Sequence, residues 1–355
     1  MSKTLETVSL FFKEGTSDKV YHAQLVEEAD GCVVNFQYGR RGSTLTTGSK
    51  TSEPIAPAKA KKIFDKLVAE KTGKGYQPMA GTVNTYTAAP TEKKATGLIP
   101  QLLNPIEEEE VERYLRDDDW GAQEKKDGRH QMLKKTAGVV IGANKKGFEI
   151  SLPTSFVDGV AAFDTITLDG EAIGETYHTF DILHLKEHSA LSLGYLKRHE
   201  LLLTIATVFG SAIKVVPLAI GYEAKKALYE ELKAKKKEGI VFKKLSAIHK
   251  PGKAHGDMAK YKFYSELSAQ VSGGRDGKRS VSVVLCDETG KWVPMGNVTI
   301  PANYPIPAIG AVCSIRYLYC YPGGSLYQPI YQGERDDESS EDCLMSQVKY
   351  KTVED

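Results

Sequence analysis

Two adjacent lysines precede an Asp-Gly pair in the stretch WGAQEKKDGRHQML, and this arrangement suits nucleophilic chemistry. The stretch has the pattern of a β-strand that ends in a tight turn, and successive side chains of a strand point to opposite faces. Lys125 and Asp127 therefore share one face, while Lys126 points the other way. Gly128 lets the backbone turn and lets a ligand approach closely. We predict that Lys125 is a nucleophile oriented by a carboxylate; a solvated surface pair is the alternative.

Four later segments add the residue types that phosphoryl chemistry needs. ITLDGEAIG places Glu171 after an Asp-Gly turn at a strand end, and KEGIVFKK places Glu238 just before a buried strand. YHTFDIL places the aromatic Phe180 on another strand, and AKYKFY sets Lys260 and Lys262 on one strand face. Each residue alone has an ordinary structural explanation. Together they supply the groups for transferring a nucleotide from a triphosphate onto a lysine.

The elements that must position these residues fall into four segments. A chain of 355 residues suits two or three domains. The first segment alternates as a strand meander and continues in a helix from about Ala56 to Lys71; the second is a linker rich in Ala, Thr, Gly and Pro. Pro105 opens a short helix in the third segment, which then alternates strands and helices, and the fourth has the short strands of a small β-barrel. The predicted boundaries are residues 1–79, 80–104, 105–267 and 268–355.

Composition narrows the class of protein. Hydrophobic content of 41% and charged content of 26% are ordinary for a soluble globular chain. The lysine-rich stretch KKALYEELKAKKKEG on a chain of net charge +1 favours a solvated amphipathic helix over an anion-binding face. No run of about 18 apolar residues or signal-peptide core is present, so we expect a cytoplasmic protein without a membrane partner. The five cysteines are odd in number and lack a CxxC pair, which predicts reduced core thiols.

The ordered set KKDGR, LDGE, HTFDIL, EGIVFK and KYK resembles the motif series of the covalent nucleotidyltransferases. That superfamily comprises ATP-dependent DNA ligases, RNA ligases and mRNA capping enzymes. The resemblance spans Lys125 to Lys262 and implies a nucleotidyltransferase (ATP-grasp-like ligase adenylation) domain followed by an OB-fold β-barrel. SLGYLKRHELLL also resembles the arginine-rich helix of ligases. QPIYQGERDD is similar to the last motif, Arg-x-Asp-(Lys/Arg); Arg335 and Asp337 match it, whereas Glu338 replaces the final basic residue.

The resemblance also implies roles for individual residues. Lys125 would attack the α-phosphate of ATP, while two further lysines disfavour its protonated form and bind that phosphate. The implied catalytic residues are Lys125, Lys260 and Lys262. The implied nucleotide-binding residues are Gln123, Arg129, Glu171, Phe180, Lys260, Lys262 and Arg335. The implied ligands of Mg²⁺ are Glu171 and Glu238.

The first motif departs from the family pattern KxDGxR. His130 stands at the position of the arginine, and Arg129 comes one residue early. On a regular strand Arg129 would face away from the site. Either the strand bulges and Arg129 replaces the arginine, or His130 replaces it in part.

The N-terminal segment resembles a WGR domain, named for Trp-Gly-Arg. In FQYGRRG, Tyr38 takes the Trp position and is followed by the matching Gly39 and Arg40. An aromatic ring with arginines suits stacking and phosphate contact at a strand terminus, so the implied nucleic-acid-binding residues are Tyr38, Arg40 and Arg41. The alternative is that Tyr38 is a core residue and Arg40 a surface charge. The expected fold is thus multidomain α+β, with a β-meander plus helix, an adenylation domain and a C-terminal barrel.

The expected function is that of an ATP-dependent ligase that seals nicks in duplex DNA, in repair or replication. An RNA ligase that acts on RNA-containing nicks shares the same chemistry, and a decayed DNA-end-binding protein is the non-catalytic alternative. A capping enzyme would show a clearer closing motif, and an NAD-dependent ligase would need a helical domain for which residues 80–119 are too short. We expect a monomer from a bacterium or phage that uses ATP and Mg²⁺.

Overall fold

The computed structural model describes residues 3–14, 17–41, 45–51, 53–79, 87, 94–252, 254–274, 277–321 and 323–351. The chain divides into two compact units. The first contains residues 1–13 and 18–261, and the second contains residues 14–17 and 262–355. Across the described ranges, no helix is both long and apolar enough to span a membrane.

The N-terminal segment is a five-stranded sheet covered by one helix. Its elements are β1 (Lys3–Glu14), β2 (Ser17–Glu28), β3 (Gly31–Arg40), β4 (Thr46–Ser49), α1 (Pro57–Gly73) and β5 (Gln77–Pro78). The strand order β4-β3-β2-β1-β5 is that of the predicted meander with β5 added at the edge. Helix α1 buries Ala60, Phe64 and Leu67, which recur at helical spacing, against the sheet core. The meander and the helix are therefore confirmed.

Two sheets build the next part of the first unit. Its elements are β6 (Leu102–Pro105), α2 (Glu108–Arg116), β7 (Trp120–Lys125), β8 (Arg129–Thr136), β9 (Val139–Asn144), β10 (Glu149–Ile150), α3 (Thr154–Gly159), β11 (Ile166–Ile173), β12 (Thr176–Leu185), β13 (His188–Ser189), α4 (Tyr195–Ile205), β14 (Ile213–Val215), α5 (Tyr222–Ala234), β15 (Gly239–Lys244) and β16 (Ala254–Lys262). One sheet has the order β6-β16-β15-β7. The other has the order β10-β9-β8-β11-β12-β13, with β14 paired to β12. Each sheet contributes one half of the candidate site.

The predicted start of helix α2 is wrong. Pro105 ends strand β6, where it pairs with Lys260, and the helix begins at Glu108. The backbone N–H of Glu107 donates to the Glu110 carboxylate at 3.1 Å, which satisfies a donor that the helix itself leaves unpaired. The end of the predicted linker is likewise part of a strand, since β6 begins at Leu102. Residues 80–86 and 88–93 of that linker lie outside the described residues.

The Asp-Gly pair before Glu171 is not a turn. Strand β11 runs through it, and the pairing with β12 shifts register between Asp169 and Gly170. This shift is a β-bulge, which re-aims side chains without ending the strand. A side chain at Gly170 would collide with the ring of Tyr177 and the carbonyl of His178. Glycine is therefore required here by close packing.

The second unit is a β-rich segment. Its strands are β17 (Ser265–Gly274), β18 (Ser280–Cys286), β19 (Trp292–Thr299), β20 (Val312–Tyr317), β21 (Tyr319–Cys320), β22 (Leu326–Tyr327) and β23 (Ile330–Glu334). Five form a sheet of order β19-β18-β17-β20-β23, and β21 pairs with β22. Hydrogen bonding does not close this sheet among the described residues, so the OB-fold barrel stays a prediction. All five cysteines of the chain are free thiols, as predicted.

A buried lysine ties helix α5 to the start of strand β7. Lys225 Nζ donates to the backbone carbonyls of Tyr114, Asp117 and Trp120 at 3.1, 2.6 and 2.9 Å. Burial lowers the pKa of Lys225, and these carbonyls stabilise the ammonium in compensation. The contact fixes the entry of the strand that carries Lys125.

We expect Lys225→Met to lower the free energy of unfolding by about 2–3 kcal/mol, because three buried carbonyls lose their donor. Urea denaturation of the full chain measures the change. Lys226→Met is the matched control, since the neighbouring Lys226 is exposed on the same helix. Equal losses in the two variants would contradict the role given to the buried ammonium.

Candidate active site

Lys125 lies at the end of β7 and forms an ion pair with Glu238. Its Nζ is 2.7 Å from Glu238 Oε2, and the two side chains are 17% and 5% exposed. The pair follows from strand register, because Gly239 of β15 lies opposite Lys125 and Glu238 immediately precedes it. A lysine held at a strand end by a buried carboxylate, and still partly open to solvent, is suited to act as a nucleophile.

Lys126 faces a different partner. Its Nζ is 2.5 Å from Glu124 Oε2, and Lys237 approaches the other oxygen of that carboxylate at 3.9 Å. Lys125 and Lys126 therefore point in different directions, as the alternation of the strand predicted. The structure distinguishes the two lysines of the KKDG stretch by their carboxylate partners.

Gly128 brings the turn after Lys125 against the second sheet. A Cβ at this position would collide with the carbonyl oxygen of Ala172 in β11. The sequence predicted a ligand at this close approach, and the structure places backbone there. The nucleophile strand is thereby packed directly beside the strand that carries Glu171.

Strands β8, β11 and β12 place a histidine and three other groups together. His130 Nε2 is 2.6 Å from Asp169 Oδ1, and Glu171 lies opposite His130 in the strand pairing. The His130 ring is 5.8 Å from the ring of Phe180. Burial opposes the charge on His130, but attraction to Asp169 outweighs it and raises the pKa of the imidazole.

Glu171 is the most perturbed carboxyl of this cluster. Burial raises the pKa of Glu171 to about 7, with the charge of Glu238 adding to the rise and those of His130 and Lys125 opposing it. The two sheets therefore bring Glu171, Glu238 and Lys125 within electrostatic reach of one another. A buried carboxyl with this property is a common feature of functional sites.

Arg129 lies apart from this cluster. Its Nη1 donates to the backbone carbonyl of Leu45 at 2.7 Å, in the N-terminal segment. Of the two alternatives for the missing motif arginine, His130 is the one that the structure places beside Glu171 and Phe180. The expectation that Arg129 binds the nucleotide is not supported by this contact, because adjacent strand residues face opposite sides.

A buried hydroxyl joins several residues beneath Phe180. Tyr195 Oη is 2.7 Å from Gln123 Oε1, 2.7 Å from the carbonyl of Phe180 and 3.2 Å from Lys243 Nζ. The amide of Gln123 donates to the carbonyl of Val216 at 2.9 Å. Both polar atoms of the Gln123 side chain thus have partners inside the protein, and its contact with adenine stays a prediction.

Lys243 is the residue of this cluster that sequence reasoning missed. It is fully buried, and burial lowers its pKa to about 8, with the charges of Asp181 and Asp169 opposing the shift. Its Nζ lies over the rings of Phe180 and Tyr195 at 4.2 and 4.4 Å from their centroids. A signal existed in the sequence, since Lys243 interrupts the apolar strand that follows Glu238.

A buried ion pair holds the strand that carries Phe180. Arg198 on α4 donates to both oxygens of Asp181 at 2.7 and 2.9 Å and to the carbonyls of Leu193 and Ala247. Its side chain is completely buried. The helix predicted from SLGYLKRHELLL thus fixes Asp181 and, next to it, Phe180.

Two domains of the chain match known families. Residues 6–82 match the WGR domain, and residues 165–262 match the ATP dependent DNA ligase domain. One region of the chain is thus similar to WGR domains and another is similar to the ATP-dependent DNA ligase domain. No curated protein matches the chain.

The fold has relatives among solved structures. A structure described as a Lig E DNA ligase with a minimal scaffold has a TM-score of 0.51 at 15% identity and covers 66% of this chain and 98% of that one. Pmar-Lig_PreS3 has a TM-score of 0.53 at 13% identity and covers 67% of each chain. At these identities the likeness concerns the fold, which is the mixed α+β fold described above.

The remaining predicted residues of the ligase series lie in different compact units. Lys260 is in the first unit, and Lys262 is in the second, where its Nζ donates to Gln328 Oε1 at 2.8 Å. Arg335, also in the second unit, forms a two-point contact with Asp337 at 2.7 Å and reaches Glu338 at 2.7 Å. The glutamate that replaces the basic residue of the last motif therefore pairs with the motif's arginine.

The WGR domain presents Tyr38 on its surface. This side chain is 45% exposed and stacks on Tyr21 and Phe36 at centroid distances of 6.2 and 6.1 Å. Arg41 pairs with Asp18 at 2.9 Å and lies over the ring of Phe11 at 5.2 Å. Tyr38 is thus an exposed aromatic residue and not part of the core.

Glu171 and Glu238 fit the way in which proteins bind Mg²⁺. Among the described residues no group of three His, Cys, Asp or Glu side chains could hold a metal. Mg²⁺ in phosphoryl-transfer sites is commonly bound by one or two carboxylates together with water and substrate phosphates. The charge of Glu238 raises the cost of ionising Glu171, and a bound cation would reduce that cost.

We expect Glu171→Gln to raise the melting temperature at pH 8 and to change it little at pH 5. The carboxyl titrates near 4.5 when unperturbed and at about 7 in the folded chain. The folded state therefore binds more protons between these values, so Glu171 lowers stability progressively as pH rises through that range. The amide removes this cost.

Thermal unfolding without nucleotide or metal measures this difference. Glu187→Gln, at an exposed position of the same domain, serves as the control. An equal change in Tm at pH 5 and pH 8 for Glu171→Gln would rule out the raised pKa.

Proposed function

We propose that the chain is an ATP-dependent polynucleotide ligase that seals 3′-OH/5′-phosphate nicks in duplex DNA through a lysyl-AMP intermediate on Lys125. The observation that carries this proposal is the 2.7 Å contact between Lys125 Nζ and Glu238 Oε2 near the half-buried Glu171. The match to the ATP dependent DNA ligase domain supports the reaction class, and the WGR match supports a nucleic-acid substrate. We place this activity in DNA repair or replication.

The first step transfers AMP to the enzyme. Lys125 Nζ attacks the α-phosphorus of ATP, a phosphorus–nitrogen bond forms, and the bond to the β-phosphate oxygen breaks to release pyrophosphate. Glu238 is the nearest carboxylate to the lysine proton and is placed to accept it. Phe180, half-buried above Lys243, offers its ring to the adenine.

The next two steps use DNA. The 5′-phosphate at the nick attacks the phosphorus of lysyl-AMP, which frees Lys125 and forms a DNA–adenylate. The 3′-OH then attacks that 5′-phosphate, a phosphodiester forms and AMP leaves. Lys260, which lies in the same compact unit as Lys125, serves the α-phosphate of AMP. Such steps depend mainly on positioning and charge stabilisation.

Mg²⁺ held by Glu171 and Glu238 would neutralise charge on the triphosphate. The residues of the chain perform the other tasks: Lys125 supplies the nucleophile, and His130, paired with Asp169, supplies positive charge in place of the motif arginine.

We expect wild-type protein to gain the mass of one AMP after incubation with ATP and Mg²⁺, and Lys125→Ala to lose that gain. Intact mass spectrometry measures the adduct, on protein first freed of any bound AMP. Lys126→Ala is the matched control and should keep the adduct, because its side chain pairs with Glu124 instead. An adduct on Lys125→Ala would remove the nucleophile assignment.

A chase with nicked substrates separates the alternatives. Transfer to nicked DNA supports the proposal, and preferential transfer to nicked RNA would support an RNA ligase. The absence of any adduct on the wild type would indicate a DNA-end-binding protein whose ligase motifs have decayed.

We expect Glu238→Ala to lower the rate of adduct formation by at least about 100-fold while the protein stays folded, since it loses the partner of Lys125 and a metal ligand. Stopped-time mass spectra at several Mg²⁺ concentrations measure the rate, and circular dichroism checks the fold. Glu124→Ala is the control with a comparable charge change on the neighbouring face. An active Glu238→Ala variant would contradict both roles of this carboxylate.

A further inference from the structure

The hairpin formed by the paired strands β3 and β4 of the WGR domain contacts strand β8, which begins just after Gly128. Arg129 Nη1 donates to the carbonyl of Leu45 at 2.7 Å, and Thr47 Oγ1 lies 3.5 Å from the carbonyl of Ser151. Arg129 directly follows Gly128 at the end of the KKDG stretch. The start of β4 is thus held against the strand that follows the nucleophile turn, within one compact unit.

The exposed aromatic residue of the WGR domain belongs to the same hairpin. Tyr38 pairs with Thr46 across the two strands. Thr46 directly follows Leu45, whose carbonyl accepts the hydrogen bond from Arg129. Tyr38 is 45% exposed. The docking contact therefore determines where this ring lies relative to Lys125.

The surroundings of Tyr38 carry positive charge. Lys19 lies opposite Arg40 in the strand pairing, two residues from Tyr38. Lys71 lies over the ring of Tyr21, on which Tyr38 stacks, at 4.5 Å. An exposed ring among cationic side chains is suited to a nucleic-acid strand, because bases stack on the ring and phosphates meet the cations.

We propose that Arg129 is a positioning residue that holds the WGR hairpin against the ligase domain, so that the strand termini at the nick bind across both domains in one continuous site. This inference rests on the proposed function and assigns the WGR domain to the nick itself instead of to distant duplex. Arg129 then serves the binding of DNA through Tyr38 and has no part in the transfer of AMP to Lys125.

A double-mutant cycle on the full chain tests the inference. The variants are Arg129→Ala, Tyr38→Ala and the double variant, and the readout is the Kd for nicked duplex DNA by fluorescence anisotropy without nucleotide. Each single variant should weaken binding about tenfold, which is typical of one lost charge-assisted hydrogen bond or one lost stacked ring. The double variant should be no weaker than the stronger single effect, because Tyr38 contributes only when Arg129 positions it.

Two controls accompany the cycle. Arg116→Ala removes an exposed arginine of the ligase domain that pairs with Glu112, and it should leave the Kd within about twofold. Arg129→Lys should restore part of the affinity, since an ammonium can also donate to the Leu45 carbonyl.

The outcomes separate this inference from the proposed function. If the double variant binds nicked DNA about 100-fold more weakly than the wild type, Arg129 and Tyr38 act independently. If Arg129→Ala forms the AMP adduct more slowly, Arg129 belongs to the nucleotide site. Either result overturns the inference. A wild type without an adduct would refute the ligase, while the cycle in DNA affinity would still decide whether the two domains bind the nick together.

Discussion

The ion pair between Lys125 and Glu238 is the contact on which the arrangement of the candidate site depends. Both side chains are largely buried, and removing either partner would leave an uncompensated charge in the interior. Strands β7 and β15 must therefore keep the register that sets Gly239 opposite Lys125. Lys225 fixes the other end of β7 through three carbonyls, so the nucleophile strand is held at both ends.

The rest of the site is a balance of charges that the two sheets share. Asp169 meets His130, Asp181 meets Arg198, and Lys243 lies over Phe180. Groups that are already oriented and desolvated before substrate arrives need little reorganisation during reaction. The same burial makes ionisation of Glu171 unfavourable, so that this carboxyl prefers its neutral form up to about pH 7.

The sequence predicted those features that depend on local pattern. Alternation along the strand separated Lys125 from Lys126, and helical spacing predicted α1 and α5. The predictions were wrong where one sequence pattern is compatible with two local structures. Asp-Gly is typical of a turn, yet Asp169 and Gly170 form a bulge, because Gly170 packs on Tyr177.

Long-range contacts decided what local pattern left open. Arg129 or His130 could each replace the motif arginine, and the choice depends on Leu45, a residue 84 positions away in the chain. Lys243 was missed because its partner Tyr195 is 48 positions away and a lysine within an apolar strand has no local explanation. The contacts of such residues become visible only when the sheets are assembled.

The hydroxyl of Tyr195 carries one proton, yet Gln123 Oε1 and the carbonyl of Phe180 both lie 2.7 Å from it. A single O–H can satisfy only one of them at a time. The hydroxyl therefore has two alternative orientations. In each orientation it donates to one of the two carbonyl oxygens and leaves the other without this donor. The amide of Gln123 and the backbone that carries Phe180 thus compete for one hydrogen, so a change at either is transmitted to the other without any movement of the surrounding chain.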